Sequence, residues 1–235
     1  MAKFNIQNID PKLIARYIIR ETMGLVIMAV ALFWSAARID WWQGWAALAV
    51  MFAWIAATAI IILRFNPDLL RERLGPRQGA KRWDTAILSV VGLLQLARYI
   101  VAGLDQRNGS TVGFPLALQI VALVVCILGY ALVVWATYAN TFFSQIVRIQ
   151  SERGHTVVTD GPYRYVRHPG YLGAILFELA VPVLLTSWWA LLLSGLSAGL
   201  LVLRTVLEDC TLLMELAGYA EYAQKVRKRF LPGVW

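Results

Sequence analysis

Residues 155–171 form a polar segment between two hydrophobic stretches, and their types suggest ligand binding in addition to packing. The segment reads HTVVTDGPYRYVRHPGY and contains both histidines of the chain. Its Asp160-Gly161-Pro162 run predicts a turn, and Pro169 after His168 predicts the first residue of a helix. Unpaired N–H groups at such a helix start favour an anionic group such as a carboxylate. A plain structural turn entering a membrane helix is the alternative.

A second set of polar residues lies on the last hydrophobic stretch. Four polar residues recur there at helical spacing on an otherwise apolar helix: Arg204, Glu208, Thr211 and Glu215. An Arg204–Glu208 ion pair is one explanation, but an exposed pair stabilises a helix by only about 0.3–0.5 kcal/mol. Ionisable groups so close to hydrocarbon are costly and tend to mark function. Glu178 raises the same question: it either faces a substrate cavity or pairs with a basic residue such as Arg98.

The elements that must position these residues are membrane helices. The 235 residues are 59% hydrophobic and 15% charged, with a mean hydropathy of +0.61, which indicates a polytopic helical membrane protein. An interfacial helix is predicted over 1–21. Runs near the roughly 17–25 residues that cross a bilayer predict an all-α bundle of about six transmembrane helices. We place them at 22–38, 43–63, 85–103, 115–138, 169–186 and 189–206, the last two divided by Pro182 and the break at 186–189.

Positive charge predicts the orientation of this bundle. If six spans are correct, all of the 22 basic residues except Arg38, Arg98 and Arg107 lie on one side. The positive-inside rule then places both termini and the active site in the cytoplasm. The net charge of +8 is juxtamembrane and favours membrane lipids, at about 1 kcal/mol per residue, over nucleic acid as a partner. Because the chain begins at Met1, we expect the first helix to be retained and not cleaved as a signal peptide.

The chain is predicted to form a single membrane domain over 1–235. N-terminal transmembrane helices and loops occupy 1–138, and a catalytic core with a cytoplasmic cofactor-binding cap occupies 139–235. Cys126 and Cys210 have no metal-ligand spacing and are interpreted as small hydrophobic residues, so no metal site is predicted.

The C-terminal motifs resemble those of the integral-membrane methyltransferases, the superfamily of isoprenylcysteine carboxyl methyltransferase and phospholipid N-methyltransferase. The resemblance covers 139–235, whereas 1–138 share little beyond hydropathy and the Asn66-Pro67-Asp68 loop. The matching residues are Gly161-Pro162-Tyr163, Arg167-His168-Pro169-Gly170-Tyr171, Arg204, Glu208-Asp209, Gly218-Tyr219-Ala220-Glu221-Tyr222 and Leu231-Pro232-Gly233-Val234-Trp235. Glu208-Asp209 replaces a pair of glutamates in the family.

The resemblance implies S-adenosylmethionine as cofactor. Glu208 would hold the ammonium of the methionine moiety, and Arg204 would face the acceptor; these two are the candidate catalytic residues. Arg204 and Glu178 are the candidate substrate-binding residues. The implied cofactor pocket comprises Gln150, His155, Thr156, Val157, Val158, Tyr163, His168, Pro169, Gly170, Tyr171 and Glu208.

The predicted function is methyl transfer from a cytosolic donor to a lipophilic acceptor that enters laterally from the bilayer. The acceptor is either a carboxylate, such as a prenylcysteine-like group, or a lipid amine, and the sequence leaves O-, N- or S-methylation and the oligomeric state open. A protonated amine would require a base, for which Glu178 and Glu208 are candidates. The alternatives are a non-catalytic sensor or scaffold with the same fold, and a transporter. A transporter predicts an internal repeat, and the sequence shows none.

Overall fold

The computed structural model describes residues 10–75, 79–109 and 114–230. Over these residues the chain is all helical, with no β-strand. The eight α-helices are α1 Pro11–Ala36, α2 Trp42–Phe65, α3 Pro67–Leu74, α4 Arg82–Asn108, α5 Leu116–Ala139, α6 Pro169–Leu184, α7 Trp188–Glu215 and α8 Tyr219–Lys225. The predicted all-α membrane bundle is therefore confirmed. Residues 1–9 and the closing motif at 231–235 lie outside the described residues.

Five of these helices are long and apolar enough to cross a membrane: α1, α2, α4, α5 and α7. The protein is an integral membrane protein. The predicted fifth span, α6, has only 16 residues, yet it connects the two faces of the bundle. It begins after His168 in the cap, and the Ser187 hydroxyl just beyond its end lies 2.5 Å from the carboxylate of Asp105, near the far end of α4.

Two predicted helix boundaries need correction. The interfacial helix expected over 1–21 is not separate from the first span, because α1 runs without interruption from Pro11 after an N-cap in which Asp10 accepts from the Lys12 N–H at 2.9 Å. Pro182 does not divide α6 from α7 but lies inside α6. The chain turns instead at Thr186, whose φ of 59° is left-handed, and Ser187 caps α7.

Small residues bring α5 and α6 into close contact. A Cβ atom on Gly173 would lie 2.3 Å from the carbonyl oxygen of Gly129, so only glycine lets these two backbones approach. Next to this contact, Tyr130 on α5 stacks between Trp54 on α2 and Phe177 on α6, with ring centroids 4.7 and 4.0 Å apart. The hydrophobic effect does not drive helices together in lipid, so close van der Waals packing of this kind must hold them. Here it holds the first half of α6 against α5.

A buried ion pair links α4 to α6 within the membrane. Glu178 is 2% exposed and accepts from Arg98 Nη1 at 2.6 Å and from Gln95 Nε2 at 2.7 Å. Arg98 also donates to the Tyr99 hydroxyl at 2.8 Å. Ionisable groups in a bundle interior pair with one another in this way. Of the two alternatives for Glu178, the structure shows the pair with Arg98.

The segment between α5 and α6 forms a cap over one face of the bundle. It contains two short 3₁₀ turns, Ser151–Arg153 and Gly161–Arg164. The short helix α3, which begins after Asn66, joins the cap through the ion pair of Glu72 with Arg148 at 2.5 Å. The backbone N–H of Val147 donates to Asp84 at the start of α4, at 2.8 Å. The basic loops therefore share one face, as predicted, and its cytoplasmic orientation stays a prediction.

Candidate functional site

A cavity of about 540 Å³ lies between the cap and the helices. Its volume is within the range of about 300–1,000 Å³ found for small-molecule sites. The structure brings together nearly all predicted site residues here. Those that line the cavity are Gln150, His155, Thr156, Val157, Val158, Tyr163, His168, Gly170, Tyr171, Arg204 and Glu208.

Two predicted site residues do not line the cavity. Pro169 begins α6, so its role is to start the helix that carries Gly170 and Tyr171. Glu178 lies more than two turns further along α6, where its carboxylate is held by Arg98. Gln95, which bonds Glu178, does reach the cavity. A direct contact between Glu178 and substrate stays a prediction.

The cavity has a polar end in the cap and an apolar end within the membrane helices. The polar end carries Asn140, Gln150, His155 and Glu208. The apolar end is formed by residues of α2, α4, α5, α6 and α7, namely Trp54, Leu88, Val133, Ala174 and Leu201. One continuous cavity thus borders both the polar cap and the hydrocarbon level, which suits two ligands of different polarity.

Glu208 is the carboxylate that lines this cavity in the described part of the chain, and it makes no ion pair there. The Tyr171 hydroxyl donates to it at 2.5 Å. Arg204, one turn earlier on α7, pairs elsewhere: its Nε donates to Asp84 at 2.6 Å and its Nη2 to the Gln145 carbonyl at 2.9 Å. The Arg204–Glu208 ion pair considered from the sequence is therefore wrong, because Asp84 on α4 supplies the carboxylate.

Asp209, next to Glu208, organises the cap. It is fully buried and accepts from Arg167 through two bonds of 2.9 and 2.7 Å. The Tyr219 hydroxyl and Arg229 Nε each donate to it at 2.8 Å, and His168 Nε2 lies 3.0 Å away. Bidentate arginine–carboxylate pairs with further bonds hold a fixed geometry. Asp209 thereby ties α7 to the residues that enter α6.

Residues near the end of the described chain also bond the residues that enter α6. The Arg167 N–H donates to the Lys228 carbonyl at 2.9 Å, and the His168 N–H donates to the Arg229 carbonyl at 3.0 Å. Sequence reasoning recognised Asp209 as part of a motif but missed its role, because spacing along α7 gives no sign of partners on other segments. Arg167, a charge at the entry of a predicted span that calls for a carboxylate nearby, is the signal that could have found it.

His155 and Gln150 form the outer wall of the cavity. Gln150 is almost fully buried; its side chain donates to the Phe142 carbonyl at 2.8 Å and accepts from Arg153. The His155 ring stacks on Phe142 with centroids 4.5 Å apart, and its Nδ1 accepts from the Gln150 N–H at 3.3 Å. Burial, reinforced by Arg153, lowers the pKa of His155 below its ordinary 6.5. The neutral ring can then donate from Nε2.

Tyr163 is held at the cavity by the turn predicted around Gly161. Gly161 has a φ of 59°, and a Cβ there would lie 2.8 Å from the Cβ of Ala139, so the turn requires glycine. The Tyr163 hydroxyl accepts from Asn140 at 3.3 Å, and its carbonyl accepts from the Tyr222 hydroxyl at 2.7 Å. Burial raises the pKa of Tyr163 well above 10.0, so its hydroxyl is a neutral group.

The part of the chain that forms most of the cavity matches a known protein family. The model of the isoprenylcysteine carboxyl methyltransferase (ICMT) family matches residues 120–214, which contain most of α5, the segment between α5 and α6, all of α6 and nearly all of α7. The resemblance to the integral-membrane methyltransferases is confirmed. The matched region includes Glu208, Asp209 and the two short turns of the cap.

Individual relatives show the same likeness over different lengths. The Schizosaccharomyces pombe protein-S-isoprenylcysteine O-methyltransferase is 33% identical over 90 residues, which are 37% of this chain and 38% of the relative. A probable protein-S-isoprenylcysteine O-methyltransferase of Oryza sativa subsp. indica is 25% identical over 185 residues, 74% of this chain and 93% of the relative. The match thus spans well under half of the yeast relative's length. A solved structure of the eukaryotic intramembrane Ras methyltransferase ICMT aligns with a TM-score of 0.45 at 19% identity, over 92% of this chain and 86% of that one.

Proposed function

We propose that this protein is an S-adenosylmethionine-dependent methyltransferase that acts on a lipophilic acceptor at the cytoplasmic face of the membrane. The observation that carries the proposal is Glu208. It is a carboxylate without an ion pair among the described residues, and it faces a cavity that reaches from the polar cap to the membrane interior. Glu208 is half-buried, and a partly desolvated carboxylate gains from a counter-charge, so a cationic group of a ligand is a fitting partner.

The residues of the cap suit an adenosylated amino acid. Glu208 would bind the ammonium group, and the neutral His155 would donate a hydrogen bond from Nε2. The aromatic residues Tyr163, Tyr171 and Tyr219 line the same cavity and would favour a sulfonium through their ring faces, by about 0.5–2 kcal/mol. When bound, the donor supplies a methyl group on a sulfonium, and the acceptor's nucleophile takes it as the carbon–sulfur bond breaks.

The protein's contribution to rate is alignment and exclusion of water. Holding two reactants in line can contribute up to about 7–11 kcal/mol in favourable cases. Asp209 fixes Arg167 and His168 at the entry of α6, and Asp84 fixes Arg204 on α7. The apolar end of the cavity would admit the acceptor from the bilayer. Of the alternatives, a prenylcysteine-like carboxylate needs no general base, whereas an amine would have to lose a proton.

Binding of S-adenosylmethionine to the purified full-length protein in nanodiscs tests the proposal. Glu208→Gln removes the charge but keeps the size, and a hydrogen bond to a charged group is worth about 1.5–3 kcal/mol, so Kd should rise about 10-fold or more. Glu215→Gln is the matched control, because Glu215 ends the same helix, is 41% exposed and pairs with Lys81. Unaltered affinity in Glu208→Gln would contradict the proposal, and binding without turnover on any membrane extract would indicate a sensor.

A further inference from the structure

Four arginines line the cavity, and three of them already hold a carboxylate. Arg148 pairs with Glu72 and Glu152, Arg167 with Asp209, and Arg204 with Asp84. The fourth, Arg73 on α3, has no ion pair within the residues that the structure describes. Among the described residues that line the cavity, Arg73 and Glu208 are therefore the cation and the carboxylate that make no ion pair.

The surroundings of Arg73 are those of a partly desolvated cation. Its Nη2 donates to the Phe143 carbonyl at 3.3 Å, and its guanidinium lies 5.8 Å from the centre of the Phe143 ring. Its guanidinium shares a side-chain hydrogen bond with the Tyr17 hydroxyl, and Glu21, which Arg20 pairs at 2.5 Å, acts on it through its charge without forming an ion pair. Burial lowers the pKa of Arg73, although guanidinium groups stay charged in proteins.

Unpaired hydrogen-bond donors strengthen this assignment. Arg73 Nε and Trp54 Nε1 are buried, and neither makes a hydrogen bond to a residue that the structure describes. Both residues line the cavity, and both belong to the α2–α3 side, opposite the α7 helix that carries Glu208. Because both atoms can only donate, they call for acceptor atoms on a ligand. A buried N–H without a partner costs roughly 1–3 kcal/mol, which a ligand recovers when these side chains turn toward it.

We propose that Arg73 is the binding site for an anionic group, a carboxylate or a phosphate, of the lipophilic acceptor. This proposal rests on the proposed function and deepens it, since it assigns the two charges of the cavity to two ligands. Glu208 serves the donor's ammonium and Arg73 serves the acceptor's anion. An arginine fork matches both carboxylate and phosphate geometry. The acceptor's apolar part would extend toward Trp54 on α2, on the membrane side of Arg73.

Equilibrium binding of three amphiphiles of equal chain length tests this assignment: dodecanoate, dodecyl phosphate and dodecylamine. The full-length protein is used in nanodiscs, as wild type, Arg73→Lys and Arg73→Gln. We expect Arg73→Gln to weaken binding of both anionic probes about 10-fold or more, Arg73→Lys to retain much of it, and neither to affect the amine. Arg71→Gln is the matched control, because Arg71 lies on the same helix and its side chain is 63% exposed.

A parallel titration with S-adenosylmethionine separates the two ligands. If Arg73→Gln leaves donor affinity unchanged while anionic probes are lost, the proposal is supported. If it weakens the donor and spares the probes, Arg73 binds the donor's carboxylate and the proposal is overturned. Equal probe affinity in wild type, Arg73→Gln and Arg71→Gln would also overturn it. Glu208→Gln reports on the proposed function separately, because it should affect the donor alone. Arg73→Met, which removes the charge but keeps the apolar part of the side chain, replaces Arg73→Gln if that variant folds poorly, with the same outcomes expected.

Discussion

Replacing Asp209 with asparagine should release the cap while leaving the transmembrane helices in place. Asp209 is fully buried and is the shared acceptor of Arg167, Tyr219 and Arg229. Asparagine has the same shape but no charge, so it leaves Arg167 buried without a counter-charge. Removing one partner of a buried pair typically costs about 3–5 kcal/mol. Such a cost changes the population of a locally open cap on the order of 100- to several-thousand-fold.

Limited proteolysis measures that opening directly. The residues around Lys228 are potential trypsin sites, and their backbone is held by the N–H groups of Arg167 and His168. We expect cleavage there to accelerate strongly in Asp209→Asn, and affinity for S-adenosylmethionine to fall with it. Asp105→Asn is the control, since Asp105 is also buried and its carboxylate accepts from the Ser187 hydroxyl at the opposite face. Cleavage of Asp209→Asn at the wild-type rate would refute the role given to this carboxylate.

Three further predictions concern the bundle and the outer wall of the cavity. Gly173→Ala should lower the free energy of unfolding by about 1–3 kcal/mol through overpacking. The control Gly199→Ala, with nothing within 4 Å of the new Cβ, should be neutral or stabilising. Equal melting temperatures of the two variants would contradict the close α5–α6 contact. Glu178→Gln should cost about 3–5 kcal/mol by leaving Arg98 unpaired, and Arg98→Met combined with Glu178→Leu should recover much of this; a double variant as unstable as the single one would refute the pairing. Burial lowers the pKa of His155 from 6.5, so the neutral ring's contribution to stability is complete above pH 6.5 and is lost as the pH falls below that value. In a pH series of melting temperatures, His155→Phe should therefore lose less stability in acid than the wild type. An identical decline in both proteins would contradict this.

The sequence predicted the membrane bundle from local features, whereas most cavity residues were predicted from the resemblance to the integral-membrane methyltransferases. Apolar length specifies the spans, and Pro169 after His168 specifies where α6 begins. The partners of the charged residues could not be predicted in the same way. Asp84 lies 120 residues before Arg204, and nothing in the spacing of either residue points to the other. In the sequence, Arg73 contributed only to the charge count that predicts orientation. Its lack of an ion pair among the described residues becomes visible only when the helices are packed together.

The two helix boundaries that were predicted wrongly have local physical causes. α1 continues from Pro11 through residues expected to lie at the interface, because no residue there interrupts the helical hydrogen bonds. Pro182 lies two residues before the end of α6, so it removes one intrahelical hydrogen bond where only Val183 and Leu184 of the helix follow. The chain then turns at Thr186, whose backbone is left-handed. Hydropathy does not predict such a conformation.

Transfer of a labelled methyl group tests the central claim most directly. Membranes that contain the wild-type protein or Glu208→Gln are incubated with S-adenosylmethionine labelled on the methyl group, and the label is measured after extraction into organic solvent. We expect the wild-type membranes to accumulate label in a lipophilic product, whose identity gives the acceptor, and Glu208→Gln membranes to accumulate far less. Equal labelling of both, or no labelling above membranes without the protein, would contradict the account.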